Sequence, residues 1–126
     1  MKIKGFSWVG VGVQALEPAV AFFTEVLGLE VLAGDGKSVA ILSVADGQLL
    51  EIFGPGSRGQ KLTSPPAIAF EVEDVAAAKQ ELLSHDVELI GDIGSWNGFE
   101  WLYFRGPEGR IFLVKQTPPA GWEKHA

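Results

Sequence analysis

Few side chains in this 126-residue chain could bind or transform a small molecule, and Glu51 is the most pointed of them. It interrupts the apolar run Leu49-Leu50-Glu51-Ile52-Phe53. Strand alternation there sends Leu49, Glu51 and Phe53 to one face and Leu50 and Ile52 to the other. A carboxylate on an apolar face needs a partner, either the positive charge of a ligand or a salt bridge to Lys115 or Arg105. Acid/base catalysis would require a second titratable group beside it, and the sequence places none convincingly. The only imidazoles are His85 and His125. His85 falls at the end of the second helical run, where a solvated histidine complements the helix C-terminus, and His125 lies in the tail. The chain has no cysteine, which excludes disulfides, thiolate metal sites and a cysteine nucleophile.

Composition narrows the partners. Ten basic and 16 acidic residues give a formal charge of −6, which offers no footprint for nucleic acid or an anionic membrane. The N-terminus MKIKGFSWVG lacks the apolar core of a signal peptide, and no stretch approaches the roughly 20 apolar residues of a membrane span, so a cytoplasmic location is expected. The 47% hydrophobic content suffices for one closed core, and the 16 glycines and 7 prolines punctuate apolar runs without forming a tract.

The elements that must hold these residues repeat. Displacing the chain along itself brings Val9, Val11, Val13, Leu16 and Phe23 onto Ile68, Phe70, Val72, Val75 and Leu82. The first three pairs alternate as a strand does and the rest follow helical spacing, so each copy opens strand-then-helix. Asp74 is placed to N-cap the second helix, Pro18 sits in the first turn of the first, and Gly28 ends it. Asp35-Gly36 and Asp46-Gly47 supply the positive φ of hairpin turns around Ser38 to Val44 and Gln48 to Phe53. Pro107-Glu108-Gly109 divides Phe99 to Arg105 from Arg110 to Lys115, with an irregular stretch, Gly91 to Gly98, ahead of them. The expected fold is α+β, one domain over 1–126 made of two βαβββ modules at about 5–54 and 66–116. A linker at 55–65 joins them, and a tail covers 117–126.

Three stretches carry a resemblance: Ala21-Phe22-Phe23-Thr24-Glu25-Val26-Leu27-Gly28-Leu29, Ile68-Ala69-Phe70-Glu71-Val72-Glu73-Asp74-Val75, and Tyr103-Phe104-Arg105-Gly106-Pro107-Glu108-Gly109. They resemble the vicinal oxygen chelate superfamily of glyoxalases, extradiol dioxygenases and bleomycin-resistance proteins. The resemblance implies sheets curling into a cup, and a divalent metal held by His or Glu on the opening and closing strands of each module. Those positions fall on Trp8, Glu51, Ala67 and Leu113. Only Glu51 can ligate, whereas an open catalytic site needs about three N or O ligands. The chain is therefore expected to hold no metal or other cofactor, as a ligand-deficient member similar to the bleomycin-resistance binders.

Within that implied cup, strand parity puts Trp8, Gly10 and Gly12 on one wall and Leu49, Glu51 and Phe53 on the next. Ala67, Ala69 and Glu71 follow, with Trp101, Tyr103 and Leu113. The ligand contacts expected from this set are Trp8, Gly10, Leu49, Glu51, Phe53, Ala67, Ala69, Trp101, Tyr103 and Leu113. Aromatic bulk opposite glycine and alanine reads as open floor space more than as a plug. Trp96 and Trp122, in loop and tail, fit a rim or an interface. The expected function is sequestration of a small, flat, partly apolar, cationic, antibiotic-like molecule, stacked on Trp8 and Trp101, with Glu51 or Glu71 taking its charge. The alternatives are a metal-dependent lyase, isomerase or dioxygenase of the glyoxalase type, and a regulatory module whose cup is filled by its own side chains. A homodimer is expected from the apolar first helix and the family's habit.

Overall fold

A computed structural model describes residues 1–125, without the side chain of His125. The chain divides into two compact units, Trp8–Ala67 and Met1–Ser7 with Ile68–Ala126.

The unit Trp8–Ala67 contains the end of β1 (Gly5–Gly12), α1 (Leu16–Ala21), β2 (Glu30–Gly34), β3 (Val39–Ser43), β4 (Leu49–Phe53) and α2 (Gly59–Leu62). Its strands lie in the order β2-β3-β4-β1, with β1 parallel to β4 and the other pairs antiparallel. One face is apolar and helix-covered: Val9, Val11, Leu50, Ile52, Ala40 and Leu42 pack with Leu16, Ala19, Val20, Phe23 and Leu29. Helix one departs from the expected regular run. After six residues it widens into a π-helical turn, Phe22–Val26, where Thr24 Oγ1 donates to the Val20 carbonyl at 2.9 Å. Gly28 follows its C-cap with φ of +73°. The β2–β3 turn is fastened by Asp35, whose carboxylate accepts the Ser38 hydroxyl and the backbone N–H of Lys37, Ser38 and Val39. These donors, the hydroxyl foremost, favour the ionised form and hold Asp35 well below the usual carboxylate range.

The expected linker is not structureless. It carries α2, and Thr63 is fully buried, donating from Oγ1 to the Gly59 carbonyl at 2.8 Å and accepting the Gly12 N–H at 2.9 Å. Gln60 Nε2 donates to the Val13 carbonyl at 2.7 Å. Polar residues without apolar period thus clasp the end of β1, because their hydrogen bonds are tertiary.

The other unit contains β5 (Ala67–Glu71), α3 (Val75–Ser84), β6 (Leu89–Trp96), β7 (Phe99–Arg105) and β8 (Ile111–Gln116), ordered β5-β8-β7-β6 with β5 parallel to β8. Ala67 alone of β5 groups with the first unit. The βαβββ order therefore occurs twice, as the repeat requires. Asp74 caps α3 by accepting the Ala77 N–H at 3.1 Å. Val75, Ala78 and Leu82 of α3 pack on Val72, Leu102 and Val114. The stretch Gly91 to Gly98, expected to be irregular, belongs largely to β6, which pairs with β7 through a register shift between Ile90 and Gly94. Its glycines lower strand propensity, and pairing with β7 overrides them. Residues 1–7 join this unit: Lys4 N–H donates to the Glu71 carbonyl, and the Phe6 and Phe70 rings lie 5.4 Å apart.

Candidate functional site

The face of the Trp8–Ala67 sheet opposite α1 carries five of the ten expected contacts, Trp8, Gly10, Leu49, Glu51 and Phe53, and Ala67 at the head of β5 groups with the same unit. Register sets Trp8 beside Leu49, Gly10 beside Glu51 and Gly12 beside Phe53, all on one side because paired residues share a face and every second residue along a strand returns to it. On this face the Trp8 indole N–H donates to Glu51 Oε1 at 3.0 Å. Trp8 is only 4% exposed, and its ring meets Phe53 edge-on at 6.1 Å. Glu51 is half-buried, while Leu49, Phe53 and Ala67 are buried. The indole N–H thus helps to aim the carboxylate on a face whose neighbours Leu49 and Phe53 are buried and apolar.

The expected floor space beside Trp8 is corrected by the glycines themselves. A Cβ on Gly10 would strike the tip of the Trp8 indole and approach Thr63 Cγ2 to 2.7 Å. Gly10 is the seat of the Trp8 ring, and Gly12 is met by the Gln60 carbonyl. Gly59 receives the Phe53 ring in the same way, 2.5 Å from where a Cβ would stand. Trp8 is therefore a packed donor and not an open stacking platform.

The remaining four contacts share one face of the other sheet. Ala69 registers with Leu113, and Leu113 with Tyr103. Along the strands from that row, Glu71 registers with Lys115, and Lys115 with Trp101. Ala69 and Leu113 are buried; Trp101 and Tyr103 are half-buried. Trp101 lies over Gly94, where a Cβ would come 2.5 Å from its Nε1. Glu71, expected as an alternative charge partner, accepts Thr117 N–H and Oγ1 at its two carboxylate oxygens, at 2.9 and 2.7 Å. The Arg105 guanidinium pairs with Glu88 at 3.1 Å and donates to the Gly109 carbonyl.

Two features escape a sequence reading. Trp96 and Trp122, unassigned there, form a cluster with Phe99: Trp122 meets Phe99 edge-on at 4.7 Å, and Trp96 stacks on Phe99 at 6.1 Å. Asn97 Nδ2 donates to the Trp122 carbonyl at 2.9 Å, so the C-terminal residues are bound to the β6–β7 turn. The second is the burial of Lys115, which the sequence offers only as a salt-bridge partner for Glu51: it is 6% exposed, with Nζ 4.6 Å from the centre of the Phe99 ring. His85 is the C-cap of α3, as expected, and the His125 side chain lies outside the described residues.

The donor chemistry at the four chelating positions does not fit a divalent metal. Trp8 presents an N–H donor that is already given to Glu51, and Ala67 and Leu113 carry no donor atom. Glu51 is one carboxylate where about three ligands are needed. Among the described residues no group of three His, Cys, Asp or Glu side chains is placed to hold a metal ion. No helix among them is long and apolar enough to cross a membrane.

Comparison with known proteins gives the family. A model of the glyoxalase/bleomycin resistance protein/dioxygenase superfamily matches residues 5–111, and the chain belongs to that superfamily. YetH of Bacillus subtilis strain 168, itself uncharacterised, is 23% identical over 125 residues, covering 90% of this chain and 99% of YetH. Similar solved structures include methylmalonyl-CoA epimerase from Mycobacterium tuberculosis, 20% identical with a TM-score of 0.71 over 93% of this chain and 90% of that one. A Streptomyces coelicolor methylmalonyl-CoA epimerase variant in complex with 2-nitronate-propionyl-CoA has a TM-score of 0.74 at 19% identity, over 94% of this chain and all of the epimerase chain. The 2,3-dioxygenase LapB from Pseudomonas sp. KL28 has a TM-score of 0.69 at 16% identity, over 90% of this chain and 42% of that one. At these identities the structural likeness establishes the fold alone.

Proposed function

We propose that this member of the superfamily is a metal-independent binding protein for a small, flat, partly apolar cation, with Glu51 as its charge partner. The observation that carries the reading is the hydrogen bond from the Trp8 indole N–H to Glu51 Oε1, 3.0 Å long on an apolar sheet face. It holds the carboxylate in a fixed direction. It also fills a chelating position with a group that cannot coordinate a metal. A half-buried, oriented carboxylate attracts a cation more strongly than a solvated one does, and strand parity alone offers Trp101 and Tyr103, half-buried on the other sheet, as aromatic contacts. No bond need be made or broken. The other expected contacts, Gly10, Leu49, Phe53, Ala67, Ala69 and Leu113, belong to the same proposal, with Trp8 as the residue that positions Glu51.

The test is a titration of intrinsic tryptophan fluorescence with a panel of aromatic cations in buffer containing EDTA. Saturable quenching by at least one of them is expected, weakened about tenfold or more by Glu51→Gln. Two results would overturn the reading: no quenching by any cation, or tight stoichiometric uptake of nickel, zinc, iron or manganese that Glu51→Ala abolishes. The second would restore a metal-dependent enzyme.

A further inference from the structure

A groove of about 670 Å³ opens between α1 and the β2–β3 pair, within the unit Trp8–Ala67 and on the helix side of its sheet, away from Glu51. That volume lies inside the roughly 300–1,000 Å³ of small-molecule sites. Its walls are mostly apolar: Leu16 and Val20 from the helix, Val31 and Val39 from the strands. Val31 is 46% exposed on the edge strand β2, so apolar surface is left for a ligand to cover.

Two opposite charges line this groove. Glu17 comes from α1, and Lys37 from the turn that joins β2 and β3. Among the described residues neither side chain has a hydrogen-bond or ion-pair partner, so the two do not neutralise each other. The backbone of Lys37 is held in place, because its N–H donates to the Asp35 carboxylate at 2.9 Å. Thr24 lines the groove from the π-helical turn, a rare widening of a helix that recurs at functional sites. Its hydroxyl hydrogen goes to the Val20 carbonyl at 2.9 Å, which leaves the oxygen as an acceptor. The carboxylate and hydroxyl oxygens on the helical wall suit an ammonium, and the ammonium on the strand wall suits a carboxylate. A ligand with both charges on an apolar body satisfies the whole groove.

We infer that this groove binds an apolar α-amino acid, with its α-ammonium on Glu17 and Thr24, its α-carboxylate on Lys37 and its side chain against Val20, Val31 and Val39. It is a second site, independent of cation binding by Glu51 on the opposite face. Glu17 and Lys37 are both exposed, so each charge contributes modestly and the apolar contact supplies the rest.

Isothermal titration of L-valine, L-leucine and L-phenylalanine into the full chain tests the site. Saturable binding of at least one is expected, weakened about threefold or more by Glu17→Gln and by Lys37→Met. The tightest binder is then compared with its amide, which keeps only the ammonium, and its N-acetyl derivative, which keeps only the carboxylate. Each should bind more weakly than the parent amino acid. The amide should be indifferent to Lys37→Met, and the N-acetyl derivative to Glu17→Gln. Glu51→Gln should leave amino-acid binding unchanged. No saturable binding by any of the three amino acids overturns the inference, as does an affinity that either Glu17→Gln or Lys37→Met leaves unchanged. Loss of binding in Glu51→Gln would move the ligand to the other face and overturn it as well.

Discussion

The Trp8 indole N–H donates to Glu51 Oε1 across the parallel pair β1 and β4, while the same indole rests on Gly10, the residue in register with Glu51. Donor, seat and acceptor form one set. Trp8→Phe removes the N–H and part of the ring, which should cost about 1–3 kcal/mol of stability from the unmet bond and the space left behind. It should also weaken cation binding several-fold, since Glu51 loses the group that aims it. Urea unfolding and the fluorescence titration check the two effects separately. A stable variant with unchanged affinity would show that the bond does not position Glu51.

Gly10→Ala should be as damaging as a truncation elsewhere. Its methyl would meet the tip of the Trp8 ring and stand 2.7 Å from Thr63 Cγ2, and a packed core cannot give way without moving side chains. A loss of about 1–3 kcal/mol is expected, with tryptophan emission shifted to the red as the indole is displaced. Unchanged stability and emission would mean that Trp8 does not rest there.

Asp74→Ala tests the second module independently. The carboxylate accepts the Ala77 N–H at 3.1 Å and caps α3, so its removal should destabilise the protein by about 1 kcal/mol and leave cation binding untouched. Chemical denaturation reads the first outcome and the fluorescence titration the second.

The strand parity of Trp8, Glu51, Leu113 and their neighbours was legible because alternation fixes which face a side chain takes once one face is apolar. The cap at Asp74 and the turn at Pro107 were legible as local chemistry. What parity cannot tell is whether a small residue leaves space or receives a neighbour's ring, and so Gly10 beside Trp8 was misread as floor. β6 was hidden by Gly91, Gly94 and Gly98, whose low propensity is overridden by pairing with β7. α2 is four residues long and shows no period, and its partners Val13 and Gly12 lie far back in the chain. The contacts of Trp122 and Lys115 with Phe99 are tertiary and have no local signal.

Acid sensitivity should arise at Asp35. Its pKa lies below the ordinary value of 3.8 because Ser38, and then the N–H groups of Val39, Ser38 and Lys37, favour the carboxylate. A depressed value stabilises the fold at pH above the unfolded value, and that contribution fades as pH falls through the folded one. Asp35→Ala should therefore lower the melting temperature at pH 7, and the gap from wild type should shrink as pH is taken below 3.8. A gap constant into strong acid would assign the effect to the turn's shape and not to its charge.

Cation binding by Glu51 without a metal is tested most directly by isothermal titration of one aromatic quaternary ammonium into wild type and Glu51→Gln, each with and without EDTA. The expected result is a wild-type affinity that EDTA leaves unchanged and that Glu51→Gln lowers at least about tenfold. Binding that EDTA abolishes, or an affinity equal in the two proteins, would contradict it.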